Sequence, residues 1–354
     1  MKPWFPPTVS TVAVAAAAEA DNRVHRWPLT PRITRWLRTK GADARLAGFE
    51  TDRAALGVEV AHDARGDLVM TTPLTGAHFP REMRTEGPSG RPLPAHLPRE
   101  MRRDGQDARA GEAWVLWVHG GGFCWGSARD GTGLRLAAGL GRPVVSVEYP
   151  LAPEERFPVA IEHCLAAYEA GVRERGPQVL LGGVSAGANL ALGVLQRVRA
   201  LRESGSDLPQ PVGLVGLTPF GDLAGEGDSY RVNEGRDAYL RWRGQQERFA
   251  RAYAGRADLR DPLVSPVHAD WSGEALPPAI FTTGTRDLFL SDTARIHTAW
   301  RAAGGDADLV ARRQRIGRHL GHQPLRLAIG RQHLAAQQVI VEMDRGHRAL
   351  PGRI

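Results

Sequence analysis

Cysteine is nearly missing from this chain: Cys124 and Cys164 are the two present in 354 residues. Two cysteines make no disulfide framework, and nothing argues for an oxidising compartment. The expected location is cytoplasmic. Cys124 suits the role of a small buried apolar residue better than that of a nucleophile. Lysine is as scarce: of 46 basic residues only Lys2 and Lys40 are lysines, the rest being arginine. The formal charge of +7 would suit nucleic acid or an anionic surface. No aromatic-interleaved basic motif and no nucleic-acid module accompanies it, so nucleic acid is not an expected partner. No apolar run reaches transmembrane length, and no membrane partner is expected. The alanine-rich run Val12 to Ala20, after Pro6 and Pro7, reads as a helix starting near Ser10 rather than as a cleavable leader. Aromatics vanish at the end: from Val310 to Ile354 there is no Phe, Tyr or Trp.

What is present is a long alternation. Residues 1 to 55 are helical in flavour, with Trp27, Ile33, Trp36 and Leu37 as apolar anchors. Gly57–Val60 and Asp67–Thr72 read as paired strands. Residues 77–111 are rich in Pro, Arg, Gly and Glu and contain a near-duplicate, Ala77–Arg84 and Ala95–Arg102. Two copies are too few for a solenoid, and a mobile surface insertion is the expectation. From residue 113 the pattern turns regular. Trp114–Val118, Pro143–Tyr149, Gln178–Leu181, Val212–Leu217 and Ala279–Gly284 read as buried strands. Helical runs stand between them at Leu134–Leu140, Ala160–Val172 and Asn189–Val198. Strands alternating with helices predict an α/β fold with a mostly parallel central sheet flanked by helices.

Two motifs sit at the ends of these strands. Gly183-Val184-Ser185-Ala186-Gly187 lies between strand and helix. In that context G-x-S-x-G is a nucleophile elbow, a tight turn that exposes the serine beside the free N–H groups of a new helix. Upstream, His119-Gly120-Gly121-Gly122-Phe123 follows Trp114–Val118. Such a glycine-rich loop supplies the other half of an oxyanion hole.

Residues 112 to 309 resemble the hormone-sensitive-lipase-like branch of the α/β-hydrolase esterases, and are similar to bacterial acetyl esterases and lactone hydrolases. The resemblance rests on the HGGGF loop, on Glu148-Tyr149-Pro150-Leu151-Ala152-Pro153-Glu154 with Arg156-Phe157-Pro158, and on the elbow continuing Ala188-Asn189-Leu190-Ala191. It extends through Asp261-Pro262-Leu263-Val264-Ser265-Pro266, Leu276-Pro277-Pro278-Ala279 and Gly284-Thr285-Arg286-Asp287-Leu288. It implies an eight-stranded sheet, an N-terminal helical cap over residues 1–55 on a hydrolase core over 56–354, and hydrolysis of carboxylic esters, including lactones in some relatives.

On this reading Ser185 is the nucleophile, and the N–H groups of Gly121, Gly122 and Ala186 form the oxyanion hole. His119 shapes the loop. Asp287, after a strand at the sheet's carboxyl end, is the acid that orients the base. Asp292 is second to it, and a helix-start capping carboxylate describes it better. Relatives place the base about 30 residues after the acid, in a loop reading Gly-Met-Pro-His-Gly-Phe, which this chain does not contain. His319 is the candidate, His322 the second; His333 and His347 lie further on. Relatives often carry aspartate where Val184 stands, but the N–H that matters follows the serine. The loss of aromatics and of the histidine loop marks 310–354 as atypical, through an altered reading of the gene or a diverged tail. The expected function is a serine carboxylesterase for short- to medium-chain esters, with no cofactor and no metal. A small-molecule ester is the expected partner, and a homodimer is left open. The alternative is a hydrolase fold that binds a small ligand without turnover, as the plant gibberellin receptors do.

Overall fold

The computed structural model describes residues 29–39, 42–72, 113–237 and 240–312. The 77–111 segment with its near-duplicate, the Val12–Ala20 run and the tail beyond 312 lie outside these residues.

Among the described residues, β1 (Glu59–His62), β2 (Leu68–Thr71), β3 (Trp114–Val118), β4 (Val144–Val147), β5 (Val179–Val184), β6 (Gly213–Leu217), β7 (Ala279–Gly284) and β8 (Ala307–Arg312) form one eight-stranded sheet. Their spatial order is β1-β2-β4-β3-β5-β6-β7-β8. The pairs β1·β2 and β2·β4 are antiparallel; every pair from β4 to β8 is parallel. Parallel strands need crossovers, which the helices supply. The α-helices among the described residues are α1 (Pro31–Thr39) and α2 (Ala42–Leu56), which precede the sheet, and α3 (Gly131–Leu140), α4 (Val159–Arg175), α5 (Ala186–Glu203), α6 (Asp228–Val232), α7 (Glu247–Ala254) and α8 (Leu290–Ala302), which lie between its parallel strands.

Both faces of the central strands are covered, so β3 and β6 are buried along their whole length and read as apolar runs, while the edge strand β1 is mostly exposed. Alternation sorts them all the same. Trp114, Leu116 and Val118 join the core shared with α4 and α5, through Ile161, Leu165, Leu190 and Val194. Val115 and Trp117 point the other way, toward Leu134 and Leu136 of α3 and Phe49 of α2. The cap of α3 ties into this second layer. Asp130 accepts from Thr132 N–H at 3.0 Å and from the Trp117 indole at 3.0 Å. Helix α2 docks here too, through Phe49. Thr30 precedes Pro31 and accepts from Ile33 N–H through its hydroxyl oxygen at 3.4 Å, and Asp52 of α2 pairs with Arg135 of α3 at 3.3 Å.

Element boundaries differ from the sequence reading in several places: β1 runs Glu59–His62 where Gly57–Val60 was expected, and β4 is shorter than Pro143–Tyr149. β5 runs on through Gly182, Gly183 and Val184. The glycines stay in the strand because neighbours occupy the space of their missing side chains. Trp117 lies against Gly182, and the helix turn at Gly187 lies against Gly183. Next, the break placed at 310 falls inside β8, whose Val310, Ala311 and Arg312 pair with Thr282, Thr283 and Gly284. The last strand ends with ordinary register, so the change of composition begins within the sheet. Finally, α6 and α7 went unread, and of α8 only a helix start near Asp292 was expected. Their apolar residues (Tyr230, Phe249, Tyr253, Ile296 and Trp300) are buried, but α6 has only five residues and α7 eight, too short for periodicity to show.

Candidate active site

The site is assembled where β3, β5, β6 and β7 end. Val118 at the end of β3 is in register with Gly183 of β5. The glycine loop and the elbow therefore leave the sheet side by side. Gly120 meets the elbow closely: a Cβ placed on it would lie 2.9 Å from the Val184 carbonyl oxygen and 3.3 Å from Ser185 Cβ. Gly187 packs against the Val118 and His119 carbonyls with no room for a methyl group. Small residues are thus required on both sides of the serine by backbone atoms, which cannot step aside.

Ser185 holds a conformation that L-residues rarely adopt, φ 55° and ψ −119°. Such strain persists only where the surroundings over-determine it. Here Ser185 N–H donates to Leu217 O at 2.8 Å, and Ser185 O accepts from Ala188, Asn189 and Phe220 N–H at 3.1, 3.2 and 3.2 Å. The buried Asn189 amide donates to Phe220 O and Val264 O at 2.8 and 2.9 Å, closing the loop beyond β6 over the elbow. Ser185 occupies the N-cap of α5, yet its hydroxyl makes no capping bond. A serine in that place ordinarily spends its oxygen on the N2 or N3 N–H. Ala186, the first residue of α5, is buried, and its N–H is among those a helix start leaves without an intrahelical partner.

The glycine loop is equally constrained. Gly121, Gly122 and Phe123 take φ values of 123°, 58° and 63°. The Phe249 ring lies against Gly122, where a Cβ would come within 2.6 Å of it. Tyr253 stacks on Phe123 with ring centroids 3.9 Å apart. The Tyr149 hydroxyl donates to His119 O at 2.9 Å and its ring stacks on the imidazole. His119 is buried, its Nδ1 lies 2.8 Å from Gly120 O, and burial pushes its pKa down. It is a fixture of the loop. The Cys124 thiol is fully buried, and burial pushes it up to about 12; the nucleophilic thiolate is out of reach at neutral pH.

Asp287 follows β7 in a turn where its N–H donates to Gly284 O at 2.9 Å. Its carboxylate accepts from the Thr218 hydroxyl and, at 2.9 Å, from Phe289 N–H. Burial pushes this carboxyl up to about 7 and the nearby Asp237 carboxylate adds to the rise, while the Thr218 hydroxyl and backbone N–H groups pull against it. Asp287 and Ser185 stand at the ends of β7 and β5, strands two places apart, ~10 Å across the sheet. Around Asp287 lie residues the sequence did not flag. Asn233 donates to Asp287 O at 2.8 Å, and Asp237 accepts from Leu288 N–H at 2.9 Å. They come from a loop some 50 residues earlier in the chain, and no local spacing announces them.

Asp292 does not cap its own helix. It is fully buried, and one oxygen accepts from Gly221 and Asp222 N–H at 3.0 Å each and from the Tyr230 hydroxyl at 2.6 Å. It anchors the loop after β6 instead, because α8 carries it inward below that loop. Burial, with the Asp222 carboxylate beside it, pushes its pKa well up. His319, His322, His333 and His347 lie outside the described residues. Among the described residues no group of three or more His, Cys, Asp or Glu could hold a metal ion, and no helix is long and apolar enough to cross a membrane.

A family model described as alpha/beta hydrolase fold matches residues 115–316. The chain belongs to this family. It is 36% identical over 203 residues to an acetyl-hydrolase of Streptomyces hygroscopicus, covering 56% of this chain and 64% of that protein. To an esterase of Acinetobacter venetianus it is 32% identical over 187 residues, covering 51% of this chain and 59% of the relative. The chain thus spans about six tenths of the length of the curated relatives it matches. Among solved structures, a hormone-sensitive lipase from a metagenome library superposes with a TM-score of 0.61 at 25% identity, over 97% of this chain and 93% of that one. An esterase of the bacterial hormone-sensitive lipase family gives 0.64 at 22% identity, over 96% and 98%; at that identity the likeness is one of fold. The family match covers the loop, the elbow and Asp287 together, and the sheet with eight strands agrees with the fold the sequence implied.

Proposed function

We propose that this chain is a serine carboxylesterase acting on short- to medium-chain carboxylic esters, lactones among them, through an acyl-enzyme. The observation that carries the reading is Ser185: a strained residue on a tight elbow, its hydroxyl unused by the helix it caps and the glycine loop against its Cβ. Relatives named acetyl-hydrolase and esterase support the substrate class and favour a small acyl group.

In this scheme Ser185 Oγ attacks the ester carbonyl as His319 takes its proton. The carbonyl oxygen becomes an oxyanion held by the N–H groups of Gly121, Gly122 and Ala186. The histidine returns the proton to the leaving alcohol, and water repeats the cycle to free the acid. Asp287 orients the imidazole and stabilises its charge. A carboxyl pushed up first by burial and then by the Asp237 carboxylate beside it favours a cationic partner. That electrostatic demand supports an imidazolium arriving from the 319–322 stretch. Losing one oxyanion donor costs about 3 kcal/mol of barrier.

The test is turnover of p-nitrophenyl acetate to octanoate by the full chain beside Ser185→Ala, Asp287→Asn and His319→Ala. Ser185→Ala should remove turnover and labelling by a fluorophosphonate. Asp287→Asn should lower kcat by about 10³–10⁴. Equal rates for wild type and Ser185→Ala would defeat the enzyme reading in favour of a ligand-binding hydrolase fold. A full-rate His319→Ala would pass the base to His322.

A further inference from the structure

The glycine loop carries three successive residues at positive φ, and the last of them, Phe123, has a side chain. A turn of that kind relaxes unless it is gripped from several sides. Two of the grips belong to the hydrolase core. Ala152 N–H donates to Phe123 O at 2.9 Å, and the rings of Tyr253 and Phe249 pack on Phe123 and Gly122.

Another grip comes from outside the core, from Arg38 on α1. Its Nε donates to Cys124 O at 2.8 Å and its Nη2 to Ala152 O at 2.5 Å. The same Nη2 lies 3.0 Å from Glu154 Oε2. Thr34, one turn earlier and buried, donates to Thr30 O at 3.0 Å, and its hydroxyl oxygen lies 3.4 Å from the other oxygen of Glu154. One guanidinium thus joins the N-terminal helix to both loops that form this side of the site, 121–125 and 151–155. The turn it holds is compact: Cys124 and Trp125 N–H both return to Gly121 O, at 3.1 and 2.9 Å. Fixing Cys124 O therefore fixes the far end of the turn that begins at Gly121. The fork geometry of arginine is what lets two carbonyls and a carboxylate be served at once; a lysine offers one point charge.

We propose that Arg38 is a positioning residue for the oxyanion hole, its guanidinium setting the turn that presents the N–H groups of Gly121 and Gly122. The proposal rests on the esterase reading above. Arg38 meets no substrate in this role. It works on the stabilisation of the tetrahedral intermediate and leaves ester binding unchanged. A displacement near 1 Å at such a donor costs about a hundredfold in rate.

The test uses the full chain with p-nitrophenyl butyrate, comparing wild type, Ser185→Ala, Arg38→Ala and Arg38→Lys. Sites are counted by fluorophosphonate burst. Arg38→Ala should lose about ten- to a hundredfold in kcat per titrated site with KM within threefold. Its Ki for a trifluoromethyl ketone, which adds to the serine as a tetrahedral oxyanion, should rise by the same factor. Arg38→Lys should recover only part of the rate. Guanidinium ion at tens of millimolar should restore part of the kcat of Arg38→Ala and none of that of Arg38→Lys. A kcat per site within twofold of wild type in either variant overturns the proposal. So does a loss confined to the number of titratable sites, which marks Arg38 as a residue of stability alone. Should Arg38→Ala fail to fold, Arg38→Lys decides by the same kcat and Ki criteria. Wild type without Ser185-dependent turnover is a different outcome, since it removes the esterase reading and with it this role.

Discussion

Gly187→Ala is the perturbation whose consequence the packing of the elbow makes most definite. A Cβ at Gly187 would fall well inside 3.0 Å of the Val118 and His119 carbonyl oxygens. Both belong to backbone at the end of the central strand β3, so no side chain can rotate out of the way. The start of α5 must back off by something on the order of 1 Å to restore van der Waals distance. Overpacking of a rigid site costs about 1–3 kcal/mol, and two backbone partners put this case near ~3 kcal/mol. At a urea slope of ~3 kcal/mol per molar the unfolding midpoint drops by ~1 M with the slope unchanged. The same retreat carries Ser185 and Ala186 away from the glycine loop, so kcat/KM for p-nitrophenyl butyrate should fall about a hundredfold. Gly141→Ala is the control. Gly141 ends α3 at φ 61° with nothing within 4 Å of an added Cβ, so that variant loses about 1 kcal/mol from backbone strain alone and keeps its rate within twofold. A Gly187→Ala variant whose midpoint moved less than about 0.3 M and whose rate stayed within about threefold would refute the steric account of the elbow.

Two further outcomes follow from buried groups. Asp292 has its pKa raised by burial and by Asp222. The unfolded chain releases this proton near pH 4 while the folded chain still holds it, so stability attached to Asp292 declines as pH rises above 4. Asp292→Asn keeps an acceptor for Gly221 and Asp222 N–H and cannot ionise; urea midpoints taken upward from pH 4 should show it gaining on wild type until the folded carboxyl ionises, and a constant gap would contradict the assignment. Cys124, held at about 12 by burial, should resist iodoacetamide in the folded chain and react once urea unfolds it; alkylation that proceeds under native conditions would contradict its inert role.

Much of this architecture was legible because it is local. Trp114–Val118 and Ala279–Gly284 announce buried strands by their apolar runs. The elbow announces itself by glycines at fixed offsets, since a strand that turns sharply into a helix tolerates nothing larger there. Asp287 was legible by its place after a strand. What stayed hidden has long sequence separation in common. Arg38 acts on a carbonyl 86 residues away, and Asn233 on one 54 away. Asp292 looks like a capping residue until α8 turns it under the β6 loop.

The sequence alone determined the alternation of strands with helices around the elbow, the serine on its turn and the glycines that let backbone approach it, because these follow from spacing within a few residues. Only the tertiary structure decided which polar groups hold that elbow and its loop in strained conformations. Those contacts exist when strands from distant parts of the chain lie 4.7–4.9 Å apart, and their partners are chosen by the geometry of the packed sheet.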